Sequence, residues 1–218
     1  ANVENLVLTG SAAINGTGNE LDNVLTGNSA ANVLTGLAGN DTYVIGTGDT
    51  VVEAAGGGTD TVVSGITHSL AANVENLTLV GFSAINGTGN ALDNVLNGLL
   101  SLAGNTLTGG AGNDTYMIGG GDTVVEAANG GTDTVHSLAT HTLGANVENL
   151  TLTGIAAING TGNGLNNTLT GNNSNNTLAG AGGNDTLRGG LGNDTVNGGS
   201  GNDTFLFGRG DGQDLVQD

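Results

Sequence analysis

Apolar residues in this chain recur every two or every nine positions rather than with a period of 3.6. With a glycine taken as the first of nine, the blocks GNELDNVLT, GNSAANVLT and GLAGNDTYV run without a break from Gly18 to Val44. GNGLNNTLT, GNNSNNTLA, GAGGNDTLR, GGLGNDTVN and GGSGNDTFL run likewise from Gly162 to Leu206. Position eight is always apolar or aromatic: Leu25, Leu34 and Tyr43, then Leu169, Leu178, Leu187, Val196 and Phe205. Position six is always Asn or Asp. A helix would need a period of 3.6 and would lose about 1 kcal/mol at each interior glycine. Each unit therefore reads as a six-residue turn and a three-residue strand, with the middle residue inward and its flanks outward.

One inward side chain cannot make a core, but stacked units can. Two successive units form a coil of eighteen residues, each strand lying on the one below in a parallel ladder at about 4.8 Å. A longer repeat runs over this one. Related blocks, "NVENL…INGTGN…LDN" in outline, begin at Asn2, Asn73 and Asn146, and place Glu4, Glu75 and Glu148 at offsets of 71 and 73. The difference has one location: Gly27 to Gly36 spans nine residues, whereas Gly98 to Gly109 spans eleven, which predicts a bulged turn within GLLSLAGNTLT. The expected architecture is an all-β parallel solenoid of roughly twelve coils, about 55–60 Å long. Its blocks are residues 1–72, 73–145 and 146–218, continuous with one another.

Composition narrows the classes. Gly supplies 43 residues, Pro and Trp are absent, and 2% of the chain is aromatic, so a compact globule with a thick core is excluded. Regularly spaced aliphatics, within a hydrophobic share of 36%, argue equally against disorder. Twenty acids face only Arg188 and Arg209, for a net charge of −18. Nucleic acid and anionic membrane surfaces are poor partners for such a chain. The acids also recur inside glycine turns, unlike the scattered surface acids of halophilic adaptation. Without cysteine there is no disulfide or thiolate site, which leaves an extracellular location open. No apolar run reaches membrane-spanning length, and both ends read as cuts from a longer polypeptide.

The glycine turns carry the candidate chemistry. In GGAGNDTYM, Gly109, Gly110 and Gly112 can take positive φ and turn carbonyl oxygens toward one point, where Asp114 adds a carboxylate. Oxygen ligands in irregular geometry suit Ca²⁺, which takes six to eight of them at about 2.3–2.6 Å, better than Mg²⁺. One turn supplies too few oxygens, so two stacked turns are expected to share an ion. The predicted sites join Gly36, Gly39 and Asp41 to Asp60, and Gly109, Gly110, Gly112 and Asp114 to Asp133. On one edge of the last block, Gly180, Gly183 and Asp185 join Gly198, Gly199, Gly201 and Asp203. On the other, Gly189, Gly190, Gly192 and Asp194 meet Asp211 or Asp214. Asn23, Asn32, Asn94, Asn105, Asn167 and Asn176 hold the aspartate position elsewhere, and these turns are expected to be metal-free and closed by stacked asparagine hydrogen bonds. Calcium zones near 36–60, 109–133 and 180–214 would alternate with asparagine zones.

The blocks at Gly109, Gly189 and Gly198 fit every position of G-G-x-G-x-D-x-U-x, and those at Gly36 and Gly180 lack only the second glycine. In this the chain resembles the RTX (repeats-in-toxin) family of secreted bacterial proteins. The resemblance implies a right-handed parallel β-roll that binds Ca²⁺ in its turns, is largely disordered without it, and leaves the cell by type I secretion. The long blocks look like the extended repeats of large RTX proteins.

Other residues suggest less. Glu4, Glu75 and Glu148 lie about 20 Å apart in this scheme, too far for paired acid–base work, and are expected to hydrogen-bond to turns. Glu53 and Glu126 read as structural too, with Asp49 and Asp122 as minor ligands. His68, His136 and His141 read as solvent or turn residues, Tyr43 and Tyr116 as core, and Phe205 and Phe207 as closing the last coils. No spacing marks a nucleophilic triad, and the clustered acids and aromatic platforms of a carbohydrate-active solenoid enzyme are missing. Thr17, Thr88 and Thr161 of GTGN occur once per four coils, too sparsely for an ice-binding rank. The expected function is a non-enzymatic Ca²⁺-binding segment of a secreted protein that folds outside the cell. It would act as a matrix or filament element by end-to-end stacking with copies of itself; a spacer module of a secreted exoenzyme or adhesin is the alternative.

Overall fold

A computed structural model describes residues 2–217. Among them the chain forms twenty-four short strands and no helix. Strands alternate between two faces. The first face is one twelve-stranded parallel sheet running from Asn5–Val7 to Thr204–Phe205. The second face is divided into a sheet from Gly16–Thr17 to Thr50–Val52, one from His68–Ser69 to Thr123–Val125, and one from His141–Thr142 to Leu215–Gln217. This is a β-solenoid of about 11 turns.

Register places the position-eight residues in one column. On the first face Leu6, Leu25, Tyr43, Val62, Leu77, Leu96, Tyr116, Val135, Leu150, Leu169, Leu187 and Phe205 lie one above another. Almost all are fully buried, as strand alternation requires of the middle residue in each triplet. On the second face the inward positions include Gly16, Gly87 and Gly160, where a side chain would press on leucines: at Gly87 its Cβ would come within 2.9 Å of Leu77 and 3.1 Å of Leu107. Small residues on one face thus accommodate large ones from the other. The core is a thin, unbroken stack.

Coil length is less even than a strict eighteen. Eighteen residues separate Val24 from its partner Thr42, and nineteen separate Thr42 from Thr61, but Thr61 pairs with Asn76 after only fifteen. The mean is ~19. Short coils follow the two places where the second-face sheet is interrupted, after Val52 and after Val125. The predicted bulge is present: strand Val95–Ser101 shifts register between Asn97 and Leu100. Phe205 lies against the core, whereas Phe207 is 51% exposed and closes nothing. His68 and His141 are not turn residues. They pair in register with Gly87 and Gly160 at the inward column of the second face, and the Nε2 of each is buried without a partner.

Glycine is indispensable where turns touch. Gly201 has φ +142°, and a side chain there would run into the carbonyl oxygen of Gly183 in the preceding coil. The second position of the turn is left-handed even without glycine: Leu37 has φ 90° and Ala181 φ 79°.

Candidate metal centre

The turn aspartates stack as the spacing predicts. The amide of Asp41 donates to Asp60 Oδ1 at 2.8 Å, that of Asp114 to Asp133 Oδ1 at 2.8 Å, and that of Asp185 to Asp203 Oδ1 at 2.9 Å. On the second face the amide of Asp194 donates to Asp214 Oδ1 at 2.9 Å. Asp211 instead accepts from the amide of Gly208 within its own turn. The coil before each pair joins the stack, with the amides of Asn23, Asn94, Asn167 and Asn176 donating to Asp41, Asp114, Asp185 and Asp194 at 2.6–2.7 Å. One carboxylate oxygen of each aspartate is therefore held by backbone. The other, Oδ2 of Asp41, Asp60, Asp114, Asp133, Asp185, Asp194 and Asp203, is buried with no hydrogen-bond partner among the described residues. A buried anionic oxygen without a partner is costly and calls for a proton or a cation.

Two of these stacks gain a third carboxylate. Oxygens of Asp41, Glu53 and Asp60 lie within 4.8 Å of one another, as do those of Asp114, Glu126 and Asp133, and all six residues are buried. Each glutamate follows a second-face strand, Thr50–Val52 or Thr123–Val125, at the point where that sheet stops. The Tyr43 hydroxyl donates to Glu53 Oε1, and the Tyr116 hydroxyl to Glu126 Oε1. A side chain at Gly36 would collide with Asp41 Oδ2, Tyr43 Oη and Glu53 Oε1 together, and Gly109 faces the matching trio. The first glycine of the motif thus forms the floor of a carboxylate cradle.

Burial governs the protonation of these groups. It pushes Glu53 up to about 7, with the charge of Asp60 adding to the effect. Asp60 rises to about 6 and Asp114 to about 7, again chiefly by burial. Asp41, Glu126, Asp133, Asp185 and Asp194 move upward for the same first reason. Burial also raises the Tyr116 hydroxyl far beyond its usual range, so it stays a donor to Glu126. The enclosed rings of His68 and His141 are shifted down by burial and remain neutral.

The asparagine turns close differently from the expected side-chain ladder. Oδ1 of Asn23, Asn94 and Asn167 accepts from the amide four residues earlier at 2.7 Å, while Nδ2 donates to the carbonyls of Val3, Val74 and Val147 one coil back. An amide offers a donor where a carboxylate cannot, so it bonds backbone directly. Side chains at the neighbouring exposed position carry a further ladder: the amide of Asn184 donates to Asn166 Oδ1 and that of Asn202 to Asn184 Oδ1. Asp49 and Asp122, the minor-ligand candidates, brace the turns around them. Both oxygens of each already accept backbone amides, from Asn32 and Gly46 or from Asn105 and Gly119, at 2.8–2.9 Å. Glu75 and Glu148 accept the amides of Asp60 and Asp133 at 2.8 Å, the turn-bonding role expected for them.

Sequence reasoning missed Glu53 and Glu126 in the carboxylate clusters. The available signal was a tyrosine at an otherwise apolar inward position, whose buried hydroxyl must find an acceptor.

An all-parallel solenoid with stacked turn carboxylates belongs to the repeat proteins that wind on their turns rather than on a thick core. The RTX calcium-binding nonapeptide repeat matches this chain in four copies, at residues 17–52, 103–125, 161–196 and 180–214. Together these segments cover just over half of the sequence, and the chain belongs to that family. The repeat is a non-catalytic, calcium-binding one. No curated protein matches the chain.

Proposed function

We propose that this chain is a non-enzymatic Ca²⁺-binding solenoid segment of a secreted bacterial protein, which folds as it binds the cation outside the cell. The supporting observation is the set of seven buried aspartate oxygens without a partner. Asp41 with Asp60, Asp114 with Asp133, Asp185 with Asp203, and Asp194 with Asp214 would hold the ions. Carbonyl oxygens of the turns at Gly36, Gly39, Gly109, Gly110, Gly112, Gly180, Gly183, Gly189, Gly190, Gly192, Gly198, Gly199 and Gly201 would complete the shells, while Asp211 braces its own turn. The cation supplies positive charge that the chain itself lacks. Millimolar extracellular Ca²⁺ matches modules of modest affinity, and a chain emptied of Ca²⁺ would pass a secretion channel unfolded, since binding and folding free energies are coupled in such domains. Scanning calorimetry with Ca²⁺ and with EDTA tests this. The melting temperature is expected to collapse or vanish in chelator, and an unchanged value refutes the reading.

The near-identical long blocks favour a structural role, in which copies stack to extend the rod. Electron microscopy in Ca²⁺ is expected to show fibres; isolated short rods would favour the spacer of a secreted exoenzyme or adhesin.

A further inference from the structure

Glu53 and Glu126 fall outside the nonapeptide pattern. The family matches stop at residues 52 and 125, one residue short of each. Yet both glutamates are buried, at 8% exposure, and reach the aspartate stack from the opposite face of the solenoid. Asp41 and Asp60, with exposures of 1% and 0%, each present to this cluster a carboxylate oxygen that nothing in the fold satisfies; Asp114 and Asp133 repeat the arrangement. The tyrosine hydroxyl fixes one glutamate oxygen, and the backbone amide of the following alanine, 3.2 Å away, holds the other. A long side chain that would otherwise lose rotamer freedom is thereby held in place beforehand.

The chain contains its own control. Two residues after Asp41, Asp114 and Asp185 stand Tyr43, Tyr116 and Leu187; two residues after the inward Val51, Val124 and Val196 stand Glu53, Glu126 and Gly198. Tyrosine and glutamate are present together in two blocks and lost together in the third. The third block leaves a two-carboxylate stack of Asp185 and Asp203, in alternate nonapeptides.

We propose that Asp41–Glu53–Asp60 and Asp114–Glu126–Asp133 form a second class of Ca²⁺ site, in which a tyrosine-anchored glutamate adds a third carboxylate to the aspartate pair. The proposal rests on the calcium-binding reading above. Affinity in oxygen-ligand sites rises with the number of charged ligands and with rigidity. The triads therefore load first, at Ca²⁺ concentrations at least about tenfold below those that fill the aspartate pairs of residues 185–214. Folding then begins at the two triads and extends into the C-terminal turns as Ca²⁺ rises.

Tyr43 and Tyr116 are the only tyrosines, and there is no tryptophan. Energy transfer from tyrosine to bound Tb³⁺, a hard cation that replaces Ca²⁺, falls steeply with distance and so reports the triads alone. Excitation of tyrosine is expected to give Tb³⁺ emission that saturates at one ion per triad and is displaced by Ca²⁺. Glu53→Gln should move about half of it, and the double variant Glu53→Gln/Glu126→Gln nearly all, to Tb³⁺ concentrations at least about tenfold higher, those of a two-carboxylate stack, although glutamine still accepts the tyrosine hydrogen bond. Asp203→Asn should leave emission intact and lower the Ca²⁺ stoichiometry measured by titration calorimetry. Calorimetric binding at the C-terminal turns in the double variant shows that it folds. Emission that in that variant still saturates at the wild-type Tb³⁺ concentration, or is absent from a wild-type chain that binds Ca²⁺ by calorimetry, overturns the triads and leaves the general reading standing. Absence of both signals removes both.

Discussion

Leu37 and Ala181 stand where the nonapeptide has its second glycine, and both hold left-handed φ. The asparagines with positive φ, Asn73, Asn129 and Asn146, tolerate that region; a leucine or alanine does so at about 1–2 kcal/mol. Stacking on either side leaves the turn no other path. Leu37 is also exposed, so removing its side chain forfeits little burial. Leu37→Gly is expected to stabilise the Ca²⁺-loaded chain by about 0.5–1 kcal/mol, the relief of strain less the added freedom of the unfolded chain. A melting curve in saturating Ca²⁺ checks this, and a lower midpoint for the variant contradicts it.

At the scale of strands and turns, legibility followed the punctuation. Wherever glycine and Asp or Asn mark each ninth residue, the inward residue, the face and the aspartate partner were readable, down to Asp185 over Asp203 and the bulge near Asn97. Between Glu53 and Asn76 that phase is lost, because a coil of fifteen residues replaces one of eighteen. Nothing in the period then says which face a side chain meets. His68 and His141 were read as turn residues for this reason, yet occupy the inward column. The same break hid Glu53 and Glu126: a glutamate after two valines looks like the exposed end of a strand, and only the stacked coil shows it beneath a tyrosine. Asn23 and its equivalents were placed correctly, but their bonding was not, because a ladder between side chains and one to backbone carbonyls leave the same spacing in sequence.

For the whole molecule, a charge of −18 and a set of buried acids make protons and cations alternative means of compaction. Asp60, Asp114 and Glu53 bind protons more tightly folded than unfolded: from ordinary values of 3.8, 3.8 and 4.5 they rise to about 6, about 7 and about 7. Stability of the cation-free chain from these groups is therefore fully present below the ordinary values and lost as pH rises through the folded ones. In EDTA, far-UV circular dichroism is expected to show more strand at the acid end of that window than at its neutral end. Saturating Ca²⁺ should reverse the trend, because the ion must displace those protons. An EDTA sample whose spectrum does not change across the window would contradict the assignment of the buried carboxylates.

The unequal division of the two faces has a mechanical outcome. Flexing that opens the seams after Val52 and Val125 breaks no strand-to-strand bonds on that side, whereas flexing the other way must stretch an unbroken ladder of twelve strands. The rod should behave like a jointed spine with a stiff back, yielding at two vertebral gaps. Beside each gap lies a cluster of three acids, so calcium filling those clusters would splint the joints.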